Sequence, residues 1–232
     1  MCGIHVRRAI KAYKRNVLPI VLTIFAFYAV LLVILVPTVF MPLSELPKNG
    51  SDLKSLVPIF SLGFALIMVF GNIFYGGVVS VFVNSLRGRS SIGDMVEGMK
   101  KFWEIAAANI INFFILVSIF ALSLLWAGFS ALFVKFNPLL AFTVLFFFLF
   151  LSAPFLLVTH AVVIDGCGPK EAIKKSFQTV KKDYFTFLGL TFLFFGFLIS
   201  FTVIPIFGDA LVALIGIPIY GLAATDFYLK KR

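Results

Sequence analysis

Two side chains in this sequence sit where an ionisable group is costly. His160 and Asp226 fall inside long apolar stretches, and placing such a group in a membrane span costs about 2.5–3.5 kcal/mol on insertion scales. A residue kept at that cost either serves a function or is held by a partner. Pro154 and Pro218 give the two stretches a common origin, with His160 six residues past the first and Asp226 eight past the second. On a helix rising ~1.5 Å per residue the two differ in height by about 3 Å, so they can pair if the stretches are neighbours. The competing arrangement sets Asp226 against Lys230 at i+4, near the interface, and leaves His160 in a structural hydrogen bond. Each proline also frees the carbonyl four residues before it, at Phe150 and Leu214. Irregular backbone at that depth is tolerated where protein or a water-filled cavity covers it. Gly71-Asn72 lies near the same level of an earlier stretch. Asn72, Pro154 and Pro218 are therefore candidates for one layer around a central cavity, or else mark kinks that serve packing.

A second chemistry comes from three cation pairs, Lys14-Arg15, Lys100-Lys101 and Lys181-Lys182. Each follows an apolar stripe with helical spacing: Val6, Ile10, Tyr13 and Val17; Ile92, Val96, Met99 and Trp103; Ile173, Phe177, Val180 and Tyr184. A basic helix of this kind suits the membrane surface, where each cation is worth ~1 kcal/mol against anionic headgroups. The same cations fix topology by the positive-inside effect, and the pattern fits both uses. No Walker loop, HExxH or GxSxG is present. Two histidines and two cysteines leave no room for a conventional metal site. The chain is thus expected to be no enzyme, with no cofactor and no metal. Gly76 and Ser80, and Gly221 and Thr225, are small residues four apart, the spacing of close helix contact.

These residues need a membrane to position them. Of 232 residues, 61% are hydrophobic, 31 are Phe, and only 13% are charged, about half the share in a soluble domain. Six apolar stretches are long enough to span, approximately 17–41, 57–84, 105–133, 138–164, 184–206 and 208–229. Seventeen lysines and arginines lie on one side of these spans, and only Lys48, Lys54 and Lys135 on the other. Both termini are therefore expected in the cytoplasm of a multi-pass cell-membrane protein. The formal charge of +10 is read as a membrane surface and not as a nucleic-acid site. Asn49-Gly50-Ser51, in the outer loop, reads as a plain turn or a glycosylation acceptor.

The stripes and cation pairs recur at an offset of about 80 residues, the mark of an internal duplication. The expected fold is all-α: one membrane domain over 1–232, with six transmembrane helices as three parallel hairpin repeats (approximately 1–86, 87–165 and 166–232). A cytoplasmic amphipathic helix precedes each hairpin. Every copy enters from the same side, so the copies relate by a pseudo-threefold axis along the membrane normal.

The segment VVIDGCGPKEAIKKSFQTVKKDYFTFLGL resembles a recurring element of uncharacterised prokaryotic six-span membrane proteins. These are similar to the membrane domain attached to some glycerophosphodiester phosphodiesterases. Asp165-Gly166, Ala172-Ile173-Lys174-Lys175-Ser176 and the aromatic run from Tyr184 to Leu190 carry the likeness. It implies a fold and no activity, since no segment here could build the soluble catalytic barrel. The expected function is a non-enzymatic module that binds membrane lipids, through anionic headgroups on the cytoplasmic side, or a membrane protein partner. The alternative is a channel or permease-type component with a pathway along the pseudo-threefold axis.

Overall fold

The computed structural model describes residues 2–35, 71–131, 138–202 and 207–232, and every regular element among them is helical. Helix α1 (Cys2–Arg15) meets α2 (Val17–Leu35) at 92°. Then come α3 (Asn72–Arg87), the short α4 (Gly93–Met99) and the long α5 (Phe102–Ala131). Helix α6 (Pro138–Ser152) is followed by a 3₁₀ turn at Ala153–Phe155 and by α7 (Val158–Asp165). Helices α8 (Pro169–Lys181) and α9 (Tyr184–Thr202) precede the last stretch. That stretch is α10 (Phe207–Leu211), a π-type turn at Val212–Gly216, and α11 (Ile217–Lys231).

Four helical stretches are long and apolar enough to cross a membrane: Phe102–Leu125, Phe146–Asp165, Tyr184–Phe201 and Val212–Lys231. A fifth is added if the bent pair α1–α2 counts as one span. Of the expected first span, residues 17–35 form α2 and the remainder lies outside the described residues. The expected second span is described only from Gly71 onward, and Asn49-Gly50-Ser51 lies outside. Irregularities fall where the sequence places proline. Pro154 sits in the 3₁₀ turn, and Pro218 follows the π-type turn. A proline removes one backbone donor and clashes with the carbonyl one turn back, so the local winding changes.

The centre is built from α3, α7 and α11. Val79, Phe82, Leu157, Val162, Leu222 and Phe227 are each at most 2% exposed. Helices α2, α5 and α9 lie outside them and present Leu18, Phe25, Phe114, Leu122 and Leu193 outward. So many large exposed apolar side chains suit hydrocarbon rather than water. The helices that contain or directly precede the basic pairs dock on the central three: α1 on α11, α4 on α3, and α8 on α7 and the 3₁₀ turn. Of charged residues α4 itself carries only Asp94 and Glu97, and Lys100-Lys101 follow its end. The three helices dock mainly through small residues beside the apolar stripes. The buried faces are His5, Ala9 and Ala12; Met95 and Gly98; and Ala172, Ser176, Thr179 and Val180. Short side chains let the backbones approach: a Cβ added to Gly98 would lie 2.5 Å from the Gly76 carbonyl oxygen. The stripes divide: Ile92, Val96, Trp103 and Phe177 are exposed, whereas Val180 is fully buried and Val6, Tyr13, Met99, Ile173 and Tyr184 pack against the core.

Candidate functional site

Asp226 is buried near the end of α11 and gathers three cationic or protonatable groups. Its carboxylate lies 2.7 Å from His5 Nδ1, 3.2 Å from Lys230 Nζ and 3.6 Å from an Arg8 nitrogen. The i+4 pairing with Lys230 thus forms, and the pairing with His160 does not. His5 comes from α1, more than 200 positions away in sequence, and the ring of Phe227 packs beside it at 5.5 Å.

His160 faces the neighbouring residue instead. Its Nε2 lies 3.2 Å from Thr225 Oγ1, while that hydroxyl donates to the Gly221 carbonyl at 2.7 Å. The hydroxyl proton is committed, so the imidazole Nε2–H is the donor and Nδ1 carries the lone pair. His160 Nδ1 is buried and has no hydrogen-bond partner among the described residues. The rings of Tyr75 and Tyr228 flank it at 6.4 and 6.2 Å.

The carbonyls freed by the two prolines are both taken by tyrosines next to the docked basic helices. Tyr13 Oη donates to Leu214 O at 2.8 Å, and Tyr184 Oη donates to Phe150 O. Ser176 Oγ adds a bond to Pro154 O at 2.6 Å. Pro154 and Pro218 are buried. Asn72 begins α3, and its side chain lies outside the described residues.

The cation pairs divide. The second member of each binds carbonyls in the last turns of a central helix: Arg15 to Ser85 O of α3 at 2.8 Å; Lys101 to Val162 O and Val163 O of α7 at 3.3 and 2.8 Å; Lys182 to Lys231 O of α11 at 2.6 Å. Carbonyls at a helix C-terminus lack intrahelical partners and carry partial negative charge, so a cation there satisfies both needs. The first members, Lys14, Lys100 and Lys181, are exposed and have no side-chain hydrogen bond or ion pair to a described residue.

Asn16, Asp165 and Asp183 help hold this arrangement and are not site candidates from the sequence; of the three only Asp165 stands in a motif that carries the resemblance. Asn16 sits at the α1–α2 bend and bonds through Nδ2 to the Ala12, Ser85 and Gly88 carbonyls, while its Oδ1 accepts from Ser90 N–H. Asp165 accepts from Tyr228 Oη at 2.6 Å and from Arg232 at 2.8 Å, with Lys175 at 3.6 Å. Asp183, just before α9, pairs with Lys231 at 3.1 Å. Its bond with Thr186, together with that ammonium, holds its carboxyl below the usual carboxylate value. Asn16 and Asp183 stand at matching points of the sequence pattern, one residue beyond Arg15 and Lys182, and that match was the available signal. His5 had none, because its partner is set by docking alone.

No known protein family, curated protein or solved structure matches the chain. The relation to the phosphodiesterase-linked membrane domains stays an expectation from the residues quoted for it. Among the described residues no cluster of His, Cys, Asp or Glu could hold a metal ion.

Proposed function

We propose that the chain is a non-enzymatic, six-span membrane module that binds anionic lipid along its cytoplasmic face. Its plan is three hairpin repeats around an axis along the membrane normal, each opened by an amphipathic helix. The division of the cation pairs carries this reading. In each repeat the second cation ties the amphipathic helix to the second span of its own repeat, and the small-residue face docks on the second span of the preceding one: α4 on α3, α8 on α7, and α1 on α11. A rule obeyed three times in a ring fits duplication better than chance. The first cation of each pair is exposed and lies within one turn in sequence of an exposed stripe residue, Val17, Val96 or Phe177. Those two features together suit the headgroup boundary of the inner leaflet. Trp103, 76% exposed at the start of α5, is the kind of side chain that anchors at that boundary.

Among the described residues, Val79, Leu157 and Leu222 are fully buried where α3, α7 and α11 meet, which favours a packed module over the transport alternative there. The deciding experiment compares lipids on the wild-type protein by native mass spectrometry, with phosphatidylglycerol and phosphatidylcholine of identical chains at equal concentration. Preferential retention of phosphatidylglycerol is expected. Equal retention of the two would remove the basis for an anionic-lipid module.

A further inference from the structure

An apolar groove of about 760 Å³ runs between α5, the break after α6, and α8. Ile111, Ile115 and Leu122 form one wall, Phe150 and Phe155 the other, and Phe177 of α8 closes the end. Two carbonyls that could have made it polar are occupied, Phe150 O by Tyr184 and Pro154 O by Ser176. A guest there must therefore be hydrocarbon, because a polar one would leave its own groups unpaired. The volume is that of a typical ligand site.

A second groove of about 190 Å³ has the same construction. Its walls are α9 and α11, and Val6 and Ile10 of α1 stand where Phe177 stands in the first. There too a tyrosine, Tyr13, covers the proline-freed carbonyl. The smaller groove is partly filled from within: Phe194 stacks on Tyr220 at 4.4 Å, and Phe197 packs against Gly216. The groove thus recurs with the architecture, and of these two copies among the described residues the one beside α8 is the larger.

Its mouth is basic. Lys174 and Lys181 lie one helical turn before and after Phe177 on α8, both exposed and neither with a side-chain hydrogen bond or ion pair to a described residue. We infer that this groove binds one hydrocarbon chain of an anionic phospholipid, with the phosphate held between Lys174 and Lys181. The inference rests on the lipid-binding reading above and gives it a place. A zwitterionic lipid fits the groove equally well and gains less at the mouth.

The test uses the full chain in detergent, with phosphatidylglycerol or phosphatidylcholine of the same chains, read by native mass spectrometry with thermal unfolding in parallel. Ser118 lines the groove and bonds only within its own helix, to Phe114 O, so Ser118→Trp fills the space. Leu122→Trp does the same farther along and serves if the first variant unfolds. Either should lower retention of the tightly held lipid about tenfold for both lipid types. Lys174→Gln/Lys181→Gln should lower phosphatidylglycerol retention about tenfold or more, from two cations at the surface, with little change for phosphatidylcholine. Lys14→Gln/Lys100→Gln, remote from this groove, should reduce loosely held phosphatidylglycerol and spare the tight copy. Unchanged retention in a folded groove-filling variant overturns the groove, even where the Lys14/Lys100 variant still loses lipid. If no variant changes retention, the lipid-binding reading falls with it.

Discussion

Asp226 is the buried carboxylate on which His5, Arg8 and Lys230 converge. Removing one partner of a buried charge pair strands the other, typically at 3–5 kcal/mol. Because Lys230 and Arg8 are partly solvated, Asp226→Ala is expected to cost about 3 kcal/mol in chemical denaturation. His5→Ala should cost less, since the carboxylate keeps Lys230. Equal, negligible losses for both would show that the cluster is not holding α1 to α11. At Gly98, an added methyl would meet the Gly76 carbonyl and Gly77 Cα at 2.5 and 2.9 Å. Neither backbone group can rotate away, so Gly98→Ala should destabilise by ~1–3 kcal/mol as overpacking. The sequence made Asp226 with Lys230, and the Gly76–Ser80 and Gly221–Thr225 spacings, legible, because local spacing defines them; Gly98 was not among them. It could not reveal His5 beside Asp226 or Thr225 beside His160, because those pairs depend on how separate helices dock.

At the scale of elements, the basic helices were legible as helices, but their buried faces were not. Apolar stripes draw the eye as core, yet only part of each is buried, Val180 most fully, and Ala9, Ala12, Gly98, Ala172 and Ser176 make the close contacts beside them. In a bilayer the rest of the stripe has hydrocarbon to face, so close docking falls to residues that allow close approach. The proline breaks were legible, and so were the carbonyls they free. That tyrosines would cover both was not, since Tyr13 and Tyr184 read equally well as interface residues. Helix α9 begins under Asp183, and Asp183→Ala should cost ~1 kcal/mol as a lost cap. This carboxyl has a lowered folded-state pKa, so its stabilising effect is complete above the ordinary carboxylate value near 4. The effect is lost as pH falls through the lower folded value. Denaturation midpoints of wild type and Asp183→Ala should therefore differ at pH 6 and converge toward pH 2–3. A constant difference across that range would refute the role of the charged form.

At the scale of the whole molecule, the proposed orientation follows from the distribution of cations. Cys167 is buried, with its Sγ bonded to Ala161 O, and burial pushes its thiol up, so it is a poor reporter. Gly168 is better, since a side chain there meets nothing within 4 Å. In a Cys2→Ser background, Gly168→Cys should react with an impermeant maleimide only after the inner face is opened, and Ser51→Cys should react from outside intact cells. The reverse pattern would invert the topology. In the proposed division of labour, one cation of each pair holds the fold while the other meets lipid. Its most direct measurement sets two triple variants side by side, each scored for unfolding free energy and for phosphatidylglycerol retained per folded molecule. Arg15→Gln/Lys101→Gln/Lys182→Gln should lose ~1–3 kcal/mol, the sum of three helix C-terminal contacts, and keep its lipid. Lys14→Gln/Lys100→Gln/Lys181→Gln should keep its stability and lose lipid. The same loss of stability and the same retention in both variants would contradict the division of labour.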